Sequence, residues 1–212
     1  MIPRVGDPAL DFTQDSTSGP IRFHEWAGAS WVLLFAYRAD FDPVCTTELG
    51  RVAQLQAELA KRNVKALGLG VDSLAAHQEW VMDINQTQGT EVSFPILADA
   101  DHRVARAYGL VATNDGDPRP SRSLLLIDPA KQVRLQFTYP PSTGRNFREV
   151  LRCIDSLRLT DAHCVATPAE WEPGQNVLIP PAIHGDDELL ARFPQGYQTL
   201  RPYLRLTPDP AR

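Results

Sequence analysis

Cysteine is scarce in this sequence: Cys45, Cys153 and Cys164 are the only three among 212 residues, and they lie far apart without a C-x-x-C pair. So few cysteines cannot build a disulfide framework, and reduced thiols are therefore expected. The five histidines show no metal-ligand spacing with one another or with paired cysteines, which argues against a zinc site. The sequence therefore predicts neither a bound metal nor a cofactor.

Long apolar runs are also missing. No segment approaches the length that crosses a bilayer, and the opening residues, MIPRVGDPALDF, lack a basic region followed by an apolar one. The formal net charge is −5, and acidic and basic residues interleave, so no basic stripe is available for nucleic acid or anionic lipid. We therefore expect a cytoplasmic protein whose partners are small molecules and other proteins, with no nucleic acid and no membrane among them.

Short apolar runs of strand length alternate with amphipathic stretches of helical length, which predicts an α/β fold. Strands are expected at 31–37, 64–71, 94–98, 123–127 and 133–139, and helices at about 44–61, 74–84, 104–108 and 145–157. Ser73 is placed to cap the second helix, and a turn-rich loop is expected at 113–120. This order predicts a thioredoxin-like central mixed sheet flanked by helices, although a flavodoxin-like sheet would give similar signals.

The composition of the chain changes after Leu159, where prolines become frequent and interrupt any pattern expected of a long helix or strand. We therefore predict a main domain at 1–160 and a C-terminal arm at 161–212. The arm carries apolar and aromatic residues that need a surface to cover, in their own domain or in a second subunit: Trp171, Val177, Leu178, Ile179, Phe193, Tyr197 and Tyr203. A homodimer or a higher homo-oligomer is the simplest expectation.

Cys45 stands where an apolar run leads through a proline into a helical pattern. Pro43 suits the first turn of a helix, so Cys45 is expected among backbone N–H groups that have no helical partner. Such a position favours an anion and can lower the pKa of a cysteine thiol from about 8.5 into the range of about 3.5–7.5. Two interpretations remain open at this point, a reactive nucleophile and a buried core cysteine.

Several motifs along nearly the whole chain resemble the one-cysteine peroxiredoxins. They are DPALDF (7–12), PVCTTELG (43–50), Ser121-Arg122, YPPSTGRNF (139–147), VATPAEW (165–171) and YLRLTP (203–208). The resemblance implies a thioredoxin-like fold with a C-terminal dimerisation arm. It also implies reduction of a peroxide by a cysteine that becomes a sulfenic acid.

The resemblance assigns roles to individual positions. Cys45 matches the peroxide-attacking cysteine of the family, and Arg122 matches the arginine that stabilises the thiolate and orients the peroxide. Arg145, in TGRNF, matches a second, supporting arginine, and Glu48 matches a glutamate that helps to hold such an arginine. Thr167 stands where two-cysteine relatives carry their resolving cysteine, so the implied reductant is an external thiol.

The loop before Cys45 departs from the family pattern H-P-x-D-F-T-P-V-C, since Tyr37, Arg38 and Asp42 replace its histidine, proline and threonine. The proline normally shields the thiolate, and the threonine hydroxyl hydrogen-bonds with the peroxide. An ionised Asp42 only accepts hydrogen bonds and, as a like charge, would raise the pKa of the Cys45 thiol. Three arrangements remain open: Arg38 pairs with Asp42, Arg38 contacts the thiolate, or a protonated Asp42 donates a hydrogen bond as threonine would.

Three functions fit these departures. The first is a thiol peroxidase for hydrogen peroxide or organic hydroperoxides with an altered active-site loop. The second is a peroxiredoxin scaffold repurposed for non-peroxidase catalysis on a small organic substrate, using Asp42, Arg38 and Cys45. The third is a redox-sensing or chaperone-like dimer with an oxidisable Cys45 but little turnover.

Overall fold

The computed structural model of the chain describes residues 2–111 and 119–211. Residues 113–118 of the loop predicted at 113–120 lie outside the described residues. The chain divides into two compact units, residues 1–147 and 148–212. The domain boundary expected after residue 160 falls within a helix of the second unit and stays a prediction.

Among the described residues, the first unit holds twelve elements, and strands and helices alternate through most of the series. They are β1 (Thr13–Gln14), β2 (Ile21–Arg22), α1 (Phe23–Ala27), β3 (Trp31–Ala36), α2 (Pro43–Gln54), α3 (Gln56–Lys61), β4 (Val64–Gly70), α4 (Leu74–Gln88), β5 (Ile96–Ala98), α5 (Arg103–Ala107), β6 (Arg122–Ile127) and β7 (Val133–Tyr139).

A five-stranded sheet in the order β5-β4-β3-β6-β7 forms the centre of this unit. Strand β4 runs parallel to β3 and β5, whereas β6 is antiparallel to both β3 and β7, which confirms the predicted mixed sheet. Every residue of β3 and of β6 is buried, and the apolar runs at 31–36 and 124–127 are typical of strands covered on both faces. The sheet is therefore the rigid frame of the unit.

Strand register determines which side chains meet at the edge of the sheet where β3 ends. Phe35 pairs with Leu124, and continuing this antiparallel register places Arg122 opposite Tyr37. The first residue of β6 therefore lies beside the loop that leaves β3. Because α2 begins only a few residues later, the chain brings Cys45 back to the same edge.

The sequence predicted the long elements of this unit and missed shorter ones. The helix expected as far as residue 61 is interrupted at Leu55 and continues as α3. Ser73 caps α4 as predicted, since its side chain accepts a hydrogen bond from the backbone N–H of Ala76. The two-residue strands β1 and β2 and the one-turn helix α1 were not predicted, because such short segments show no hydrophobic period.

The second unit contains α6 (Phe147–His163), whose first residue belongs to the first unit, and then β8 (Val177–Leu178), α7 (Asp186–Arg192), β9 (Gln198–Arg201) and β10 (Leu204–Thr207). Its three strands form a small sheet in the order β8-β10-β9. Trp171, Val177, Ile179 and Phe193 lie in a buried cluster within this unit, so part of the apolar surface of the arm is covered by the arm itself. Among the described residues, no helix is both long enough and apolar enough to span a membrane.

Candidate active site

Cys45 lies in the first turn of α2, at the edge of the sheet reached by β3. Pro43 occupies the start of the helix and Asp42 is its N-cap, whose Oδ1 accepts the backbone N–H of Cys45 at 2.8 Å. Aspartate is among the residues most favoured at this position, because its side chain satisfies an N–H group that has no helical partner. Cys45 itself is fully buried.

Arg122 reaches Cys45 from the first position of β6, as the strand register requires. Its Nη1 donates to Cys45 Sγ at 3.1 Å and to Glu48 Oε2 at 3.1 Å, while Nη2 donates to Asp42 Oδ1 at 2.9 Å. The Nε–H group binds the carbonyl oxygen of Pro141 at 2.7 Å. The guanidinium is fully buried, so these protein groups replace the water that would otherwise surround it.

Glu48 connects Arg122 to the second predicted arginine. Arg145 binds both carboxylate oxygens of Glu48, through Nε at 3.0 Å and Nη2 at 2.6 Å. Its Nη1 donates to the carbonyl oxygens of Ala36 and Ser123, at 2.9 and 3.0 Å. Arg145 therefore fixes Glu48 and joins the end of β3 to the start of β6.

The formal charges of this cluster balance when Cys45 is a neutral thiol. Two guanidinium groups, of Arg122 and Arg145, are matched by the carboxylates of Glu48 and Asp42. A thiolate at Cys45 would add one negative charge to a buried group of charges that already cancel. The arginines are therefore partly occupied by other anions and are not fully available to stabilise the sulfur.

The surroundings of Cys45 raise the pKa of its thiol. Burial has the largest influence, and the hydrogen bond between the thiol and Asp42 raises the pKa further. The backbone N–H groups of Ala39 and Arg38 and the charge of Arg122 lower it without reversing the effect of burial. The low pKa expected from the helix start alone is therefore not found, and Asp42 acts on the thiol in the predicted direction.

Asp42 is in turn held in its ionised form. Burial alone would raise the pKa of its carboxyl, but the hydrogen bonds from the Cys45 backbone and from Arg122 outweigh burial and lower it. Of the three arrangements left open by the sequence, a protonated Asp42 is therefore disfavoured. Arg122 pairs with Asp42, and the backbone N–H of Arg38 is among the groups that lower the pKa of the thiol.

Tyr37 is buried, but its hydroxyl group is directed to residues other than Cys45. It donates to Asp40 Oδ1 at 2.9 Å and lies 3.2 Å from Nδ1 of His77. Burial first, and then the neighbouring Asp40, raise the pKa of Tyr37 well above its usual value. Asp40 and His77 were not predicted as site residues, although His77 stands at helical spacing with the buried Trp80 and Ile84 on α4, which marks a polar residue on an apolar face.

The two remaining cysteines lie in the second unit. Cys153 is half-buried and donates to Glu149 Oε1 at 3.2 Å, and burial together with that carboxylate raises its pKa to about 11. Cys164 is exposed and follows the end of α6. Arg152 Nη2 lies 3.7 Å from the Cys153 sulfur, but this arginine is partly exposed, whereas Arg122 beside Cys45 is buried.

Comparison with known proteins identifies relatives over almost the whole chain. The AhpC/TSA family matches residues 5–136, and the C-terminal domain of 1-Cys peroxiredoxin matches residues 156–195. A 1-Cys peroxiredoxin of Dictyostelium discoideum is 45% identical over 98% of this chain and 86% of its own length. Peroxiredoxin-6 of Gallus gallus is 43% identical over 97% of each chain.

Solved structures agree with these relatives. A yeast mitochondrial 1-Cys peroxiredoxin superposes with a TM-score of 0.91 at 43% identity, covering 97% of this chain and 99% of its own. A cysteine-to-serine mutant of peroxiredoxin 6 from Arenicola marina gives a TM-score of 0.90 at 40% identity, with 99% of each chain covered. The thioredoxin-like fold expected from the order of elements is thereby confirmed.

The pairing of Glu48 with two buried arginines predicts a large loss of stability in Glu48→Gln. Removing one partner of a buried ion pair costs about 3–5 kcal/mol, because the remaining charges lose their compensation. Urea unfolding followed by circular dichroism measures this loss. The matched control is Glu25→Gln, since the Glu25 side chain is 73% exposed in its pair with Arg22, and no measurable change is expected there. Equal stabilities of the two variants would contradict the central role of Glu48.

Proposed function

The chain belongs to the AhpC/TSA family as a 1-Cys peroxiredoxin, and we propose that it reduces hydrogen peroxide or organic hydroperoxides through a sulfenic acid on Cys45. It is a peroxiredoxin-type oxidoreductase. The observation that carries the assignment of the reactive residue is the 3.1 Å contact between Arg122 Nη1 and Cys45 Sγ in a buried position. A fixed guanidinium at this distance supports both a sulfur anion and a bound peroxide.

The proposed chemistry consists of one oxidation, one condensation with a thiol and one thiol–disulfide exchange. The Cys45 thiol loses its proton, the sulfur attacks one peroxide oxygen, and the O–O bond breaks as the S–O bond forms. The leaving oxygen takes up a proton, so the products are the Cys45 sulfenic acid and water or an alcohol. One external thiol then displaces water from the sulfenic acid to form a mixed disulfide with Cys45. A second external thiol attacks this disulfide at the sulfur of the first, so the two external thiols leave as a disulfide and Cys45 is released as a thiol.

Asp42 alters the first step of this sequence. Its carboxylate raises the pKa of the Cys45 thiol and so stabilises the neutral form, whereas the attacking species is the thiolate. Arg122 opposes this effect, but it is shared with Asp42 and Glu48. We therefore propose a peroxidase whose reactivity at neutral pH is held down by Asp42.

An external thiol is the proposed reductant. The yeast mitochondrial 1-Cys peroxiredoxin with a similar structure resolves its thiol through glutathione/thioredoxin systems. Within this chain, the raised pKa of Cys153 makes that residue a poor nucleophile at neutral pH, because only the thiolate attacks. Small thiols or a thioredoxin-type protein are therefore the proposed donors.

We also propose that the chain forms a homodimer through its arm, in the cytoplasm. Leu190 and Tyr203 in the arm are 61% and 70% exposed, and all four residues of the edge strand β9 are exposed. An unpaired strand edge with neighbouring apolar side chains suits pairing with a second copy. The match of residues 156–195 to the C-terminal domain of 1-Cys peroxiredoxin supports this assembly.

Peroxide is expected to add one oxygen atom to Cys45. Rapid mixing of the reduced protein with hydrogen peroxide, followed by trapping with a sulfenic-acid reagent and mass spectrometry, measures the rate and the site. Cys45→Ser abolishes both the adduct and turnover with an external thiol. The matched control is the Cys153→Ser/Cys164→Ser double variant, which retains turnover. A rate constant for Cys45 no higher than that of free cysteine would refute the peroxidase function.

Replacement of Asp42 tests its inhibitory effect. Asp42→Thr keeps a side chain that caps α2 but removes the negative charge from the thiol, so the pKa of Cys45 falls and its thiolate fraction at neutral pH rises. The expected result is a lower midpoint in the pH profile of Cys45 alkylation and faster reaction with peroxide at pH 7. A slower peroxide reaction, despite a lower pKa, would instead show that Asp42 transfers the proton during catalysis.

A second function is proposed on the basis of Asp42 alone. A carboxylate that is 28% exposed and hydrogen-bonded to a cysteine is suited to general acid/base chemistry on a small organic molecule, as in a repurposed peroxiredoxin scaffold. Native mass spectrometry of the purified protein distinguishes this function. It requires a bound organic molecule that Asp42→Asn loses, and a protein without any such ligand argues for the peroxidase.

A further inference from the structure

A second buried polar cluster lies beside the active site and consists of Tyr37, Asp40 and His77. Asp40 accepts hydrogen bonds at both carboxylate oxygens, from the Tyr37 hydroxyl at 2.9 Å and from Nδ1 of His77 at 2.7 Å. The side chains of His77 and Asp40 are 0% and 3% exposed, and Tyr37 is fully buried. The contact with Asp40 places the proton of the His77 ring on Nδ1.

The cluster is not explained by packing alone. In the part of the chain that the structure describes, Nε2 of His77 is buried without a hydrogen-bond partner, which costs stability. The backbone of β4 also adapts to the cluster, because a Cβ atom on Gly70 would lie 2.6 Å from the Tyr37 ring and 2.7 Å from the His77 ring. An apolar side chain at position 77 would fill the same space without an unpaired nitrogen. We therefore look for the role of His77 in its hydrogen bond to Asp40.

That contact holds the loop between β3 and α2. Asp40 belongs to this loop, and its backbone N–H donates to Asp72 Oδ2 at 2.8 Å, which ties it to the end of β4 as well. The Tyr37 ring packs on Trp80 with ring centroids 5.1 Å apart, and Trp80 Nε1 donates to Thr46, the residue after Cys45. Tyr37 and Asp40, which flank Arg38 and Ala39 in the sequence, are thus both anchored.

The backbone N–H groups of Arg38 and Ala39 lie close enough to the Cys45 sulfur to lower the pKa of its thiol. Consecutive N–H groups that converge on one atom form an anion-binding concavity, provided that the backbone is held in place. The loop has no regular secondary structure of its own to hold it. The side chains of Tyr37 and Asp40 are two of the groups that fix it.

We propose that Tyr37, Asp40 and His77 are positioning residues that hold the backbone N–H groups of Arg38 and Ala39 against the Cys45 sulfur. Asp40 is the centre of this arrangement, Tyr37 and His77 orient its carboxylate, and the result is a second group of donors to the sulfur besides Arg122. The proposal rests on the role of Cys45 as the reactive thiol in the proposed function.

The reactivity of Cys45 depends on the charges of the ionisable groups around it as well as on the position of the loop. Asp42 raises the pKa of the thiol and Arg122 lowers it, and Tyr37 also lies within electrostatic range of Cys45. Asp40, in turn, faces Tyr37 and His77, with Asp72 bound to its backbone. A variant that keeps all these charges and removes one hydroxyl group therefore isolates the positioning effect.

Tyr37→Phe is that variant, and alkylation of Cys45 by iodoacetamide as a function of pH is the readout. Loss of the loop anchor weakens the two donors to the sulfur, so the midpoint of the profile moves to higher pH. Since the thiolate fraction changes tenfold per pH unit below the midpoint, a shift of about half a unit slows alkylation at pH 7 about threefold. Because no peroxide is used, this result is independent of the peroxidase proposal.

Tyr108→Phe is the matched control, since Tyr108 is also buried and its hydroxyl donates to the carbonyl oxygen of Leu10 at 2.6 Å, away from the site. Its profile is expected to match that of the parent protein. His77→Leu is expected to shift the midpoint as Tyr37→Phe does, whereas His77→Asn, which retains a donor near the Nδ1 position, restores most of it. Folded Tyr37→Phe and His77→Leu variants with the parent midpoint and rate would overturn the proposal.

Discussion

The structure of the site depends on a single buried guanidinium, that of Arg122. Its N–H groups donate to the Cys45 sulfur, to Glu48 and Asp42, and to the carbonyl oxygen of Pro141. The side chain of Arg122 is 0% exposed, so water does not replace a partner that is lost. A buried cation without partners is strongly destabilising, so the positions of these groups are mutually constrained. The chemistry of the cysteine is therefore linked to the stability of the sheet edge on which it lies.

Arg145 makes this arrangement rigid by a different route. It donates hydrogen bonds to both carboxylate oxygens of Glu48 and to the backbone carbonyl oxygens of Ala36 in β3 and Ser123 in β6. A carboxylate that is fixed by one arginine offers a defined acceptor to the other, which leaves little freedom for Arg122 to move closer to the sulfur. Burial and Asp42 raise the pKa of the thiol, and the charge of Arg122, which is shared with two carboxylates, does not reverse their effect.

Much of this could be predicted from the sequence, and the exceptions have physical causes. The apolar runs of β3, β4 and β6 and the Ser73 cap are local signals, and the family motifs identify Cys45, Glu48, Arg122 and Arg145 as one group. The ion pair between Asp42 and Arg122 could not be predicted, because it depends on the register of β6 against β3. Asp40 and His77 were missed for the same reason, since 37 positions separate them in sequence and only the fold brings them together.

Position 42 shows how the fold and the chemistry make different demands on one residue. As the N-cap of α2, it needs only a side-chain oxygen that accepts the Cys45 N–H, and aspartate and threonine both provide one. As neighbours of the thiol, the two residues differ, because the threonine hydroxyl can donate to a thiolate or a peroxide, whereas an ionised aspartate only accepts. Either residue can therefore cap the helix, and the choice between them changes the protonation of Cys45 and the pairing of Arg122.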